Sequence, residues 1–207
     1  MTNTIDGSET ESKVIHEGKF VSLMLHSNPN FQYEYTHEQR CSGHIVAILP
    51  IHPDHGMLVR HEFTSCWSLD GLSISSITGG WEQDKHETPI DTALDELREE
   101  AGIILHSEDQ LLSLGICRGA KSSDNLYHLF AADLGAGFDE VEIKGDGSFL
   151  ETLAHNEWVP HGMEDDSLVG LEWFDAGVDP LLYVMYTRFR FGLDNLTIAS
   201  ASREDYK

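Results

Sequence analysis

From Thr88 to Ile103 the chain reads Thr-Pro-Ile-Asp-Thr-Ala-Leu-Asp-Glu-Leu-Arg-Glu-Glu-Ala-Gly-Ile, and this stretch constrains the fold most. Thr88 suits a helix N-cap, Pro89 the first helical position, and Asp91 stands three residues after the cap. Ile90, Ala93, Leu94, Leu97 and Ala101 recur at helical spacing and predict a buried stripe. Gly102 follows as a C′ residue able to turn left-handed. The other face is acidic. Glu96, Glu99 and Glu100 lie at i, i+3, i+4 and share one side of a helix. Crowded carboxylates repel unless a hard cation sits among them, and Mg²⁺ prefers oxygen ligands. Three glutamates alone also make an ordinary solvated face. The residues around them separate the two readings.

Those residues resemble the signature of the Nudix hydrolases, Gly-x5-Glu-x7-Arg-Glu-aliphatic-x-Glu-Glu-x-Gly-aliphatic. Glu87, Glu96, Leu97, Glu99, Glu100, Gly102 and Ile103 match it in register. Two positions depart. The first Gly falls on Trp81, with Gly80 one place earlier, so the loop is one residue longer. The Arg is replaced by Asp95. In the family that Arg commonly pairs with the Glu matched here by Glu87. Either the loop is rebuilt, or Lys85 or Arg98 supplies the positive partner.

The resemblance extends over roughly residues 14–192 and is closest to the ADP-ribose pyrophosphatase branch. Tyr33-Glu34-Tyr35 and Arg40 precede a strand, and Thr78-Gly79-Gly80 stands where that branch has Pro-Ala-Gly. His61-Glu62-Phe63 replaces its Gln-Tyr-Arg. Leu114-Gly115 and the run Tyr127 to Leu134 fit its later strands. The fold so implied is α/β: a mixed β-sheet sandwiched between α-helices, with an N-terminal β-hairpin extension. The implied reaction is Mg²⁺-dependent (or Mn²⁺-dependent) hydrolysis of the pyrophosphate of a nucleoside diphosphate linked to another moiety, ADP-ribose or a similar nucleotide sugar, releasing a nucleoside monophosphate. Glu96 and Glu100 are the primary expected metal ligands, with Glu99 beside them in a ligand and catalytic role and the Gly79 carbonyl completing the shell. Glu151 is the expected general base, with Glu157 and Glu164 as rivals. Arg40 and Arg60 are candidates for phosphate contact, because guanidinium binds oxyanions bidentately. A surface ion pair is the plain alternative for each. Tyr33 and Tyr35 are candidates for stacking on the nucleobase. Asp95 and the longer loop leave a second function open, a degenerate domain that binds a nucleotide as a sensor.

The formal net charge is -23 over 207 residues. It opposes binding to a nucleic-acid backbone, which needs basic surface. It also opposes an anionic substrate unless a divalent ion neutralises the site locally. No apolar run of about 18 residues exists, so no membrane helix is expected. Cys41, Cys66 and Cys117 are odd in number and scattered, which suggests reduced thiols in a cytoplasmic protein. Residues 1–12 read as a disordered tail, 13–42 as a β extension used for homodimerisation, 43–195 as the catalytic domain, and 196–207 as a flexible tail.

Periodicity and turn residues predict strands at 20–25, 32–36, 44–51, 57–63, 72–78, 110–117, 125–134 and 150–159. The Gly- and Asp-rich stretch 135–148 reads as a long loop. A final helix is expected from Asp179 as N-cap and Pro180 at its first position, with Leu181, Leu182, Met185, Tyr186 and Phe189 facing the sheet. His52 and His55 read as turn residues. His86, beside Glu87, reads as an exposed loop residue with a metal or substrate contact as the alternative.

Overall fold

The structure is a computed structural model. It describes residues 4–5, 8–9, 11–28, 30–64, 71–144, 151–160 and 178–192, with backbone alone at 4–5, 8–9, 28 and 151. In chain order the strands are β1 (Thr4–Ile5), β2 (Ser8–Glu9), β3 (Glu11–Glu17), β4 (Val21–Asn28), β5 (Phe31–Glu38), β6 (His44–His52), β7 (Gly56–Glu62), β8 (Ser73–Ser75) and β9 (Ile77–Gly80). Helix α1 (Pro89–Glu96) continues into a π-turn, Leu97–Ala101. Then come β10 (Ile103–Leu105), β11 (Leu111–Arg118), β12 (Leu126–Asp133), β13 (Phe138–Glu140), β14 (His155–Val159) and helix α2 (Pro180–Gly192).

The main sheet runs β11-β12-β6-β7-β14, with β8 on β7 and β9 on β6. It is mixed, since β12 and β6 pair in parallel from Leu126↔His44 to Asp133↔Ile51 and the other pairs are antiparallel. Pleating sends alternate residues to opposite faces. Val46, Ile48, Phe130 and Ala132 therefore join Ile90, Ala93 and Leu97 of the helix stripe in one core. Ala47, Leu49, Leu129 and Ala131 join Leu182 and Met185 of α2 in the other. A strand buried on both faces has no polar alternation, which is why β6 reads as a continuous apolar run. The result is a mixed sheet between two helices, as expected.

Several elements differ from the sequence reading. The stretch 72–78 divides at Ser76, because β8 pairs with β7 while β9 crosses to β6. Within 135–148, β13 pairs with β10 in the register Ile103↔Glu140, a ribbon of three residues a side that local patterning does not reveal. The strand expected over 150–159 is confined to His155–Val159, after a 3-10 turn at Glu151–Leu153. The final helix begins as expected. The Asp179 carboxylate accepts from Leu181 N–H at 2.9 Å and, through its other oxygen, from the Ser76 hydroxyl at 3.0 Å.

The N-terminal hairpin is a three-stranded antiparallel sheet, β3-β4-β5, with β3 added to the two expected strands. Its β5 edge is stitched to the 121–124 segment of the same chain. Thr36 N–H donates to the Ser122 carbonyl at 2.8 Å, and the Tyr33 hydroxyl to the Lys121 carbonyl at 2.9 Å. The His37 ring lies 2.8 Å from the Asp124 carboxylate. Val14, Ile15, Phe20, Val21, Phe31 and Tyr33 remain exposed on this sheet. Among the described residues no helix is long and apolar enough to cross a membrane.

Candidate active site

Helix α1 begins with a full capping box. Thr88 N–H donates to the Asp91 carboxylate at 2.8 Å, and the Thr88 hydroxyl accepts from Asp91 N–H at 3.3 Å. Two otherwise unpaired donors at the helix end are thereby satisfied. The loop before the cap is built around Trp81, at the position where the signature has Gly. Its indole N–H donates to the His86 carbonyl at 3.0 Å, and its ring packs edge-on against His44 and His128 in the core. A buried indole bridging the loop accounts for the extra residue.

Asp95, in place of the signature Arg, faces Arg98 and the His86 ring. Arg98 Nη2 stands 2.9 Å from one carboxylate oxygen, and His86 Nε2 3.6 Å from the other. Lys85 pairs with Glu82 at 2.8 Å instead. Of the two expected compensating cations, Arg98 is the one that meets Asp95.

The acidic face is not a plain α-helical one. The last turn closes i→i+5, with Gly102 N–H donating to the Leu97 carbonyl. Gly102 then leaves the helix in the left-handed region at φ 68°, as its position predicts. Within this turn Glu99 remains the charge that acts most strongly on Glu96. Its carboxylate lies 3.0 Å from Arg98 Nη2 and is mostly exposed. Glu96 instead packs on β9, where its carboxylate and side-chain carbons fill the space a Cβ on Gly79 would need. Only glycine allows that approach. Burial pushes the Glu96 carboxyl up to about 7; Glu99 and Asp95 push the same way, while Arg40 and Arg60 oppose them.

Both arginines stand at this centre in different settings. Arg40 is exposed, and its guanidinium lies beside Gly80. Arg60 is buried under the helix, 2% exposed, with Nη1 3.2 Å from the Glu100 carbonyl and Nε 3.8 Å from the Glu100 carboxylate. Glu62 approaches the same Nε at 3.5 Å. Arg60 is thus engaged inside the protein, whereas Arg40 is open to a ligand.

The structure sets Gly79, Glu99, Arg40 and Arg60 around Glu96 and places Glu100 beside Arg60, with Glu99 also paired to Arg98. Glu157 points to the other side of the sheet and meets the His61 ring at 2.9 Å. For Glu151 the backbone alone is described, and Glu164 lies outside the described residues. Tyr33 and Tyr35 lie on β5, the first with its hydroxyl tied to Lys121. His52 and His55 pack on each other and on Trp158 at the β6–β7 turn. Asn156 escaped the sequence reading. It donates to the Glu100 carbonyl at 2.8 Å, and nothing in its local sequence marks it.

Among the described residues no three His, Cys, Asp or Glu side chains already converge as a cation cage. The donors nevertheless suit a hard divalent ion. They are oxygens, and Glu96 is a desolvated carboxyl among like charges, a state that a cation relieves. Glu96 and Glu100 would hold it first, with the Gly79 carbonyl adjacent and Glu99 joining on release from Arg98.

No family model and no curated protein matches this chain. Among solved structures, one described as an ADP compounds hydrolase superposes with a TM-score of 0.63 at 15% identity, covering 89% of this chain and 94% of that one. A Nudix hydrolase from M. smegmatis, RenU, aligns with a TM-score of 0.43 at 18% identity over 75% of this chain and 88% of its own. The mixed sheet between two helices, with the acidic box on one of them and the first of these superpositions beside it, is the Nudix fold.

Proposed function

We propose that this protein hydrolyses the pyrophosphate bond of a nucleoside diphosphate linked to another moiety, ADP-ribose or a similar nucleotide sugar, and releases a nucleoside monophosphate. The observation that carries this reading is Glu96, desolvated against Gly79 in a Nudix box that also holds Glu100. The description of the structural neighbour as an ADP compounds hydrolase supports the substrate class. A Mg²⁺ or Mn²⁺ ion held by Glu96, Glu99 and Glu100 would supply charge neutralisation of the diphosphate and activation of water.

The chain's own residues complete the task. Arg40, exposed beside Gly80, contacts the diphosphate, and Arg60 holds the helix from beneath. Glu151 takes the proton from water, with Glu164 as its rival. Tyr33 and Tyr35 offer aromatic faces to the base. The exposed apolar residues of the N-terminal sheet supply a homodimer contact, and the scattered cysteines suit a cytoplasmic setting.

A second reading has its own support. With Asp95 in the box and Glu99 paired to Arg98, the domain binds a nucleotide diphosphate without cleaving it. Incubating the protein with a panel of nucleoside diphosphate derivatives in Mg²⁺ separates the two. Monophosphate release supports hydrolysis, and saturable binding without product supports the sensor.

A further inference from the structure

Glu100 lies in the closing turn of the box helix, Leu97–Ala101, before the chain departs at Gly102. Carbonyls in a helix's last turn look for donors outside the helix. Two side chains from the sheet satisfy the Glu100 carbonyl. Asn156 Nδ2 donates at 2.8 Å and Arg60 Nη1 at 3.2 Å. These donors stand directly opposite each other on β14 and β7. One rung of the sheet therefore grips the turn that carries Glu100.

Asn156 lines a cavity with Leu58, Phe138 and Trp158. Its Oδ1 is buried there with no hydrogen-bond partner among the described residues. An unsatisfied buried acceptor is costly, and leucine of similar size would pack on these neighbours without that cost. The amide is useful at this position through its N–H group.

We propose that Asn156 is a positioning residue for the cation site: by holding the Glu100 carbonyl beside Arg60, it fixes the π-turn and the direction of the Glu100 carboxylate relative to Glu96. This rests on the reading that these carboxylates hold a divalent ion. Asparagine suits the role because it donates without adding charge. Aspartate would set acceptor against acceptor.

The test is Mn²⁺ binding to the full chain without substrate, by calorimetry or the loss of the free-ion paramagnetic signal, with Tm measured in parallel. Asn156→Leu is expected to weaken Mn²⁺ binding about 10-fold, the lower end for loss of a residue that orients a ligand, with Tm unchanged or raised. If Asn156→Leu fails to fold, Asn156→Ser, polar but too short to reach the carbonyl, gives the same readout. Unchanged Mn²⁺ affinity in the folded variant, whatever its Tm, overturns the positioning role alone. A wild-type chain that binds no Mn²⁺ overturns that role and the cation reading together.

Discussion

Arg98 stands one helical turn beyond Asp95 and places Nη2 2.9 Å from its carboxylate. The acid that replaces the signature Arg is therefore already compensated, with His86 on its other side. Asp95→Arg removes both contacts and sets two guanidinium groups face to face. Exposed pairs are worth about 0–1 kcal/mol, so the substitution should be neutral or destabilising by up to about 1 kcal/mol. Thermal melts check this, and a raised Tm would show that Asp95 is uncompensated.

Glu100→Gln should lower kcat by more than about 100-fold, beyond the loss typical of residues that only orient a ligand. The glutamine keeps the shape and the backbone carbonyl held by Arg60 and Asn156, and Glu62 still faces the buried Arg60, so the metal-free fold should persist with at most a small fall in Tm. Steady-state rates at saturating Mg²⁺ decide it. A variant with near wild-type kcat removes Glu100 from the ligand set.

Two buried groups give metal-free stability opposite pH dependences. Burial raises Glu96 from 4.5 to about 7, so the native state holds its proton longer than the unfolded chain. Its contribution is intact below the ordinary value and is lost as pH rises to about 7. His128, buried and 3.0 Å from the His44 ring, is pushed down from 6.5 to about 4. There the unfolded chain takes the proton first, and stability is lost as pH falls from 6.5 to about 4. Each is worth up to about 3 kcal/mol. Glu96→Gln should raise Tm at pH 8 and leave it unchanged at pH 4, and His128→Gln should flatten the acid limb. Melts that track wild type at both pH values would refute the assignments.

The N-terminal sheet should pair with a second copy of the chain, covering Val14, Phe20, Val21 and Phe31, all exposed here. Such a dimer should bury more than about 1,000 Å² in total. Light scattering at micromolar concentration should give twice the 23.2 kDa chain mass. A 23.2 kDa particle would mean that docking on the 121–124 segment is the sheet's whole role.

The box helix was readable in the chain because its determinants are local. Thr88, Pro89, Asp91 and Gly102 each act within a turn of their own position, and the stripe follows a fixed period. The π-turn was not readable, since Leu97 to Ala101 has no residue that excludes α-helix, and neither was the meeting of Arg60 and Asn156 at the Glu100 carbonyl. That meeting depends on the β7–β14 register, a contact distant in sequence. The same limit hid the β10–β13 ribbon and the burial of Arg60 under the helix.

The proposed function stands on Mg²⁺-dependent cleavage at the box. The most direct measurement follows AMP released from ADP-ribose by the wild-type chain and by Glu100→Gln, each with Mg²⁺ and with chelator. AMP is expected from wild type with Mg²⁺, and almost none in the other three conditions. AMP at equal rates in all four, or none from the folded wild type with ADP-ribose or any other nucleoside diphosphate derivative, would contradict the proposed function.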